Sequence, residues 1–158
     1  MKIQTGRMQT PMGAIALHWI DDLLTGVDLQ AEEGVGLSDA PPPHIRAQLD
    51  AYFADGAAGF DLQLELSGTD FQRSVWQALQ TIPSGTTVTY GELAERLGTS
   101  ARAIGGACRA NPCPIVVPCH RVVAKQGLGG FAGDTSGRKL DVKRWLLFHE
   151  GVRAFRQP

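Results

Sequence analysis

Long apolar runs are missing from this 158-residue chain, and the opening Met1-Lys2-Ile3-Gln4-Thr5-Gly6-Arg7 lacks the apolar core of an export signal. No stretch is long enough to span a bilayer, which argues against a membrane protein. Cysteine is scarce, three residues in all and none in the first third. With no export signal, that points to free thiols in a reducing compartment, with the cytoplasm as the expected location. Metal-binding clusters are equally thin. Cys108, Cys113, Cys119 and His120 have four and then five residues between the thiols, and the second spacing does not fit the Cys-x2–4-Cys pairs of zinc sites. The first third offers only His18 and His44. No internal repeat or low-complexity tract is present. The glycine-rich stretch Gly127 to Gly133 has neither the lysine nor the spacing of a phosphate-cradling loop.

What remains is ordinary for a globular protein, 43% hydrophobic and 20% charged. The formal net charge of -1 argues against a nucleic-acid partner only until its distribution is considered. Residues 1–69 carry three basic side chains against ten acidic ones, a net of -7, whereas residues 70–158 carry twelve against six, a net of +6. Such an asymmetry fits a basic working half beside an acidic supporting half.

The first half reads as strands. Thr10-Pro11-Met12-Gly13 is a turn between extended segments within Met8 to Trp19, and Leu23 to Leu29 follows Asp21-Asp22. Glu32 to Pro43 is polar and proline-rich, hence a loop. Ile45, Leu49 and Tyr52-Phe53 have helical spacing, and Phe60 to Leu66 alternates as a strand or extended connector. Ser67-Gly68 is the expected boundary between halves.

The second half reads as helices. Thr69-Asp70-Phe71-Gln72 and Thr89-Tyr90-Gly91-Glu92 are capping boxes. The first helix places Phe71, Val75, Trp76 and Leu79 on one face. The second ends at Gly98, and a third begins at Thr99 or Ser100 and runs to about Arg109, a helix-turn-helix pattern. Arg102, Gly105, Gly106 and Arg109 share a face of that third helix. Each interior glycine costs about 0.8–1 kcal/mol relative to alanine. Either the helix packs closely against another, or something anionic such as a nucleic-acid backbone approaches it there. A last helix, about Ser136 to Glu150, is closed by Gly151. Glu150 opposes the dipole at that end, so a cationic or proton-donating partner such as His120 or Arg121 is one explanation and a solvated surface position the other.

Pro118-Cys119-His120-Arg121-Val122 carries the chemistry. A reactive cysteine needs a cationic or proton-accepting neighbour that favours thiolate, and a fixed backbone to aim the sulfur. Proline, imidazole and guanidinium supply these around Cys119; a buried inert cysteine needs none of them, but spacing alone does not settle which it is. A cysteine-histidine hydrolase places its two groups far apart in sequence, whereas here they are adjacent.

Taken with Asn111-Pro112, Ala101 to Gly106, Thr89 to Ala94 and Lys143 to Gly151, this segment resembles the O(6)-alkylguanine-DNA alkyltransferases, the methylated-DNA–protein-cysteine methyltransferases. The resemblance runs from about Gly68 to Gly151. It implies an α/β (α+β) fold: residues 1–67 as a small strand-rich domain with an antiparallel, ribonuclease H-like sheet, and residues 68–158 as a mainly helical, winged-helix-like domain with the helix-turn-helix. It also implies a single-turnover enzyme, without cofactor or metal and monomeric, whose partner is double-stranded DNA bearing alkylated guanine. The alkyl group of guanine O(6), and of thymine O(4), passes to Cys119 after the base is flipped out and bound from the minor groove. By the same resemblance His120 is a general base acting through water, Glu150 orients it, and Asn111 braces the turn. Tyr90 donates a proton and crowds a phosphate. Arg102 is the finger that fills the vacated stack, and Gly105, Gly106, Arg109 and Arg121 join it and Tyr90 on DNA. The base pocket comprises Val122, Phe131, Ala132 and Gly133, with the carbonyls of Cys119 and Val122 reading the guanine edge. Phe131, Ala132 and Asp134 depart from the tyrosine, serine and glycine frequent in relatives. A module that binds alkylated DNA without chemistry is the remaining alternative, and the presence of Cys119 counts against it.

Overall fold

The computed structural model of this protein describes residues 2–30, 40–129 and 138–155. Three strands, β1 (Gln4–Thr10), β2 (Gly13–Ile20) and β3 (Leu23–Asp28), form an antiparallel sheet in the order β1-β2-β3. The Thr10–Gly13 turn is closed by the Thr10 hydroxyl, which donates to Gly13 O at 2.7 Å and accepts from Met12 N at 3.1 Å. Alternation puts Met8, Ile15, Leu17, Trp19, Leu24 and Val27 into the core. Against them packs α1 (Pro43–Ala54), burying Ile45, Leu49 and Tyr52. Phe60 to Leu66 is a connector rather than a full strand. Its even-numbered residues are half-buried and the odd ones exposed, and it meets the sheet at a single bridge between Leu64 and Leu24.

Both capping boxes form. Thr69 starts α2 (Asp70–Leu79) and Thr89 starts α3 (Tyr90–Leu97), each threonine accepting from the amide three residues on while Gln72 or Glu92 reaches back. Val75, Trp76 and Leu79 are buried on α2, and the Trp76 indole donates to Ala107 O at 2.9 Å. Phe71, expected on the same face, is instead 39% exposed. It lies in the first turn, where the Cα–Cβ bond leans toward the helix start and carries the ring past the packed neighbours. Gly98 adopts the left-handed conformation (φ 65°), and Ser100 caps α4 (Ala101–Arg109) by accepting from Ala103 N at 3.1 Å.

A short parallel pair not foreseen from sequence, β4 (Val88–Thr89) with β5 (Val122–Val123), ties the start of α3 to the chain just beyond Cys119. Two residues per strand are too few for a pattern. The last helix, α5 (Arg138–His149), ends one residue before Glu150, with Gly151 at φ 94°. Among the described residues the fold is mixed α/β, with a small antiparallel sheet and five α-helices. One hydrophobic cluster runs through both halves, and Val27 N donates to Pro112 O at 2.9 Å across them.

Candidate active site

Residues 113–123 are all buried, and within them Cys119–Arg121 form one turn of 3-10 helix leading into β5. Asn111 ties the preceding turn at both ends: its Oδ1 accepts from Cys113 N and its Nδ2 donates to Val117 O, each at 2.9 Å. Between those anchors the buried, β-branched Ile115 is held at φ 77°. This conformation is unfavourable for such a side chain and persists only where neighbours enforce it.

Cys119 is 5% exposed. The sequence favours a thiolate, but burial dominates and pushes the thiol above its ordinary range, against smaller opposing pulls from the Asn111 side chain, the Lys143 charge and its own backbone. At rest the sulfur is therefore a protonated thiol. His120 is fully buried, with Nε2 2.8 Å from Glu150 Oε2. Burial lowers its pKa, outweighing the raising effect of Glu150, so the ring is neutral. A carboxylate only accepts, so Nε2 carries the hydrogen and Nδ1 carries the lone pair. Nδ1 is buried and has no hydrogen-bond partner among the described residues.

Glu150 gathers four hydrogen bonds from three residues. His120 Nε2 and Tyr52 OH (2.5 Å) donate to Oε2. Arg121 donates from Nε to Oε1 at 2.8 Å and from Nη2 to Oε2 at 3.0 Å. Burial would raise this carboxyl, but the donors outweigh it and hold it down to about 2. The helix-end glutamate is thus a buried anion with its own cation. Arg121, expected among the DNA contacts, is buried here, and its Nη1 donates to Ile82 O at 2.6 Å. Three of its five guanidinium hydrogens are thus engaged within the chain.

Tyr90 opens α3 and is half-buried. Burial, then the proximity of Cys108 and Cys119, raises its hydroxyl well above the usual phenol range, so it remains a proton donor. Gly129, at φ 77°, lies against its ring, where an added Cβ would stand 2.9 Å from Tyr90 Cε2. Lys143 of α5 is completely buried, with Nζ donating to Val122 O at 2.8 Å and 5.8 Å from the centre of the Tyr90 ring. Burial lowers this lysine to about 8, against upward pulls from Cys119 and Cys108. The Val122 carbonyl expected to read guanine thus already accepts one hydrogen bond and keeps one lone pair. That of Cys119 accepts from Val122 N.

On the outer face of α4, Arg102, Gly106 and Arg109 are exposed and Gly105 is half-buried. A Cβ on Gly105 or Gly106 would meet nothing within 4 Å among the described residues. Helix packing among the described residues therefore does not account for the glycines. Phe131, Ala132 and Gly133 of the expected base pocket, with Asp134, lie outside the described residues; Val122 is buried on β5. Cys113 is fully buried, and burial pushes Cys108 up to about 12. No group of three histidine, cysteine or acidic side chains among the described residues could hold a metal ion. Two residues of the centre were missed from sequence: Tyr52, which read as helix core, and Lys143, which stands in the cationic run Lys143-Arg144.

Residues 70–152 match the family described as 6-O-methylguanine DNA methyltransferase, DNA binding domain. The chain is 49% identical over 156 residues to a methylated-DNA–protein-cysteine methyltransferase of Mycobacterium bovis, covering 93% of this chain and 92% of that protein. It is 44% identical over 154 residues to that of Mycolicibacterium paratuberculosis, covering 92% and 90%. Among solved structures, the Mycobacterium tuberculosis OGT in complex with DNA superposes with a TM-score of 0.77 at 38% identity, covering 93% of this chain and 92% of that one. Sequence likeness over almost the full length, and the same fold in a DNA-bound relative, lead to one conclusion: the chain belongs to the O(6)-alkylguanine-DNA alkyltransferase family, the methylated-DNA–protein-cysteine methyltransferases that repair DNA by alkyl transfer.

Proposed function

We propose that Cys119 is the alkyl acceptor, and that the chain removes methyl and other alkyl groups from O(6) of guanine, and from O(4) of thymine, in double-stranded DNA. The observation that carries this reading is the buried Cys119 beside a neutral His120 whose Nε2 is fixed by Glu150 and whose Nδ1 has no partner among the described residues. The thiol proton passes through a water to Nδ1, and the sulfur then attacks the alkyl carbon. A carbon–sulfur bond forms as the carbon–oxygen bond breaks, and the leaving base is protonated from the Tyr90 hydroxyl. The product is a thioether that nothing nearby displaces, so each molecule acts once.

Access requires the base to leave the stack. In this reading α4 enters the minor groove, Arg102 fills the gap, and Gly105, Gly106 and Arg109 let the backbone approach; the open face of the glycines supports it. Asn111 braces the turn, the carbonyls of Cys119 and Val122 read the base edge, and Phe131, Ala132 and Gly133 complete the pocket. Residues 68–158 act as a monomeric, winged-helix-like working domain in the cytoplasm, and residues 1–67 support it as a ribonuclease H-like sheet domain. The test is intact-mass analysis after incubation with a duplex carrying one 6-O-methylguanine. One methyl per molecule, mapped to Cys119, is expected; modification of Cys108 or Cys113 instead, or binding without mass gain, overturns the assignment.

A further inference from the structure

Tyr52 is carried by α1, 98 residues before Glu150, yet its hydroxyl donates at 2.5 Å to the same carboxylate oxygen that accepts from His120. The ring cannot drift. It is fully buried, with Phe53 and Phe60 at 5.4 and 5.3 Å between ring centres and the His149 ring at 5.2 Å, while its backbone oxygen lies 2.6 Å from His149 Nε2. We propose that Tyr52 is a positioning residue for alkyl transfer, holding Glu150 through its hydroxyl so that the carboxylate orients His120 without drawing a proton onto it.

The inference rests on His120 acting as the base. A carboxylate facing an imidazole alone stabilises the imidazolium, and a base already protonated cannot accept the thiol proton. Each further donor on Glu150 disperses its charge and weakens that pull. The titratable and charged groups facing His120 are Glu150, Arg121, Lys143 and the adjacent Cys119, and those facing Glu150 are His120, Arg121 and Tyr52. Among the donors to Glu150, Tyr52 is the neutral one supplied by the first half of the chain. Burial and the Glu150 charge both keep its proton in place.

The experiment uses the full chain labelled with 15N-histidine. Tyr52→Phe should raise the pH at which His120 titrates by roughly half a unit or more, and should move the acid limb of the single-turnover transfer rate the same way. A lower melting temperature with neither shift makes Tyr52 a packing residue and overturns the proposal. Should the variant not fold, 3-fluorotyrosine placed at position 52 preserves the ring and donates more strongly; His120 should then titrate lower, and an unchanged titration overturns the proposal. His120→Gln separates the two claims. If the acid limb survives it, the base assignment falls and the proposal with it. If the limb vanishes there but stays put in Tyr52→Phe, only the role of Tyr52 falls.

Discussion

His120 and Glu150 stand 30 positions apart in the chain and 2.8 Å apart in space. The contact fixes the imidazole tautomer and leaves the opposite ring nitrogen available, and it is made where α5 ends beneath the turn that carries Cys119. Its partner on the other side, Arg121, neutralises the carboxylate, so the whole assembly is an ion pair with an imidazole attached.

Glu150→Gln keeps the shape and removes the charge. Arg121 is left buried and uncompensated, so the variant should lose about 3 kcal/mol of stability, measured by denaturant unfolding. Its transfer rate should fall about a hundredfold, measured by single-turnover quench. A rate near that of the parent would show that His120 needs no carboxylate charge beside it.

Acid should unfold the protein in two stages. The folded His120 holds its proton less tightly than a free histidine, so the unfolded chain binds more protons as pH falls below about 6.5, and stability drops there. Glu150, held down to about 2 from 4.5, contributes stability that is complete above 4.5 and is lost as pH falls toward about 2. That second loss is on the order of 3 kcal/mol at most. Glu150→Gln should abolish it, and stability measured against pH in both proteins checks the point.

Lys143→Met exchanges a buried cation for an apolar side chain of similar length. The downward pull of the ammonium on the Cys119 thiol disappears. Less thiolate is then available at a given pH, so transfer at neutral pH should slow measurably in a single-turnover assay. Stability should change little, because the cost of burying the ammonium is removed together with its bond to Val122 O. Equal rates in the two proteins would remove Lys143 from the chemistry.

Gly106→Leu should leave the free protein as stable as the parent or up to about 1 kcal/mol more so, since helix propensity improves and an added Cβ meets nothing within 4 Å among the described residues. Affinity for duplex DNA, followed by fluorescence anisotropy at fixed salt, should fall at least tenfold. Arg102→Ala should slow repair of duplex DNA more than reaction with free alkylated guanine. Unchanged DNA affinity in the first variant, or equal slowing in the second, would move the DNA surface away from α4.

Local grammar was legible. Thr69 with Gln72, and Thr89 with Glu92, mark helix starts because the capping bonds join residues three apart. The core residues of β2 and α1 follow from period. The cluster around Glu150 was legible only in part. Its helix-end position asks for a donor, and His120 or Arg121 answers, but position alone does not say that both do. Tyr52 and Lys143 gave no local signal. One follows helical core spacing and the other sits in a charged run, and the bonds that matter join them to Glu150 and Val122 across the fold. Phe71 shows the reverse failure, a correct period at a position in the first turn of α2 that leaves the ring exposed.

The Cys119 sulfur rests as a shielded, protonated thiol, and this bears on selectivity. A molecule that reacts a single time gains nothing from an acceptor that meets every stray electrophile or oxidant in solution. Keeping the sulfur dormant until a substrate fills the site reserves that one event for damaged DNA, at the cost of a slower encounter.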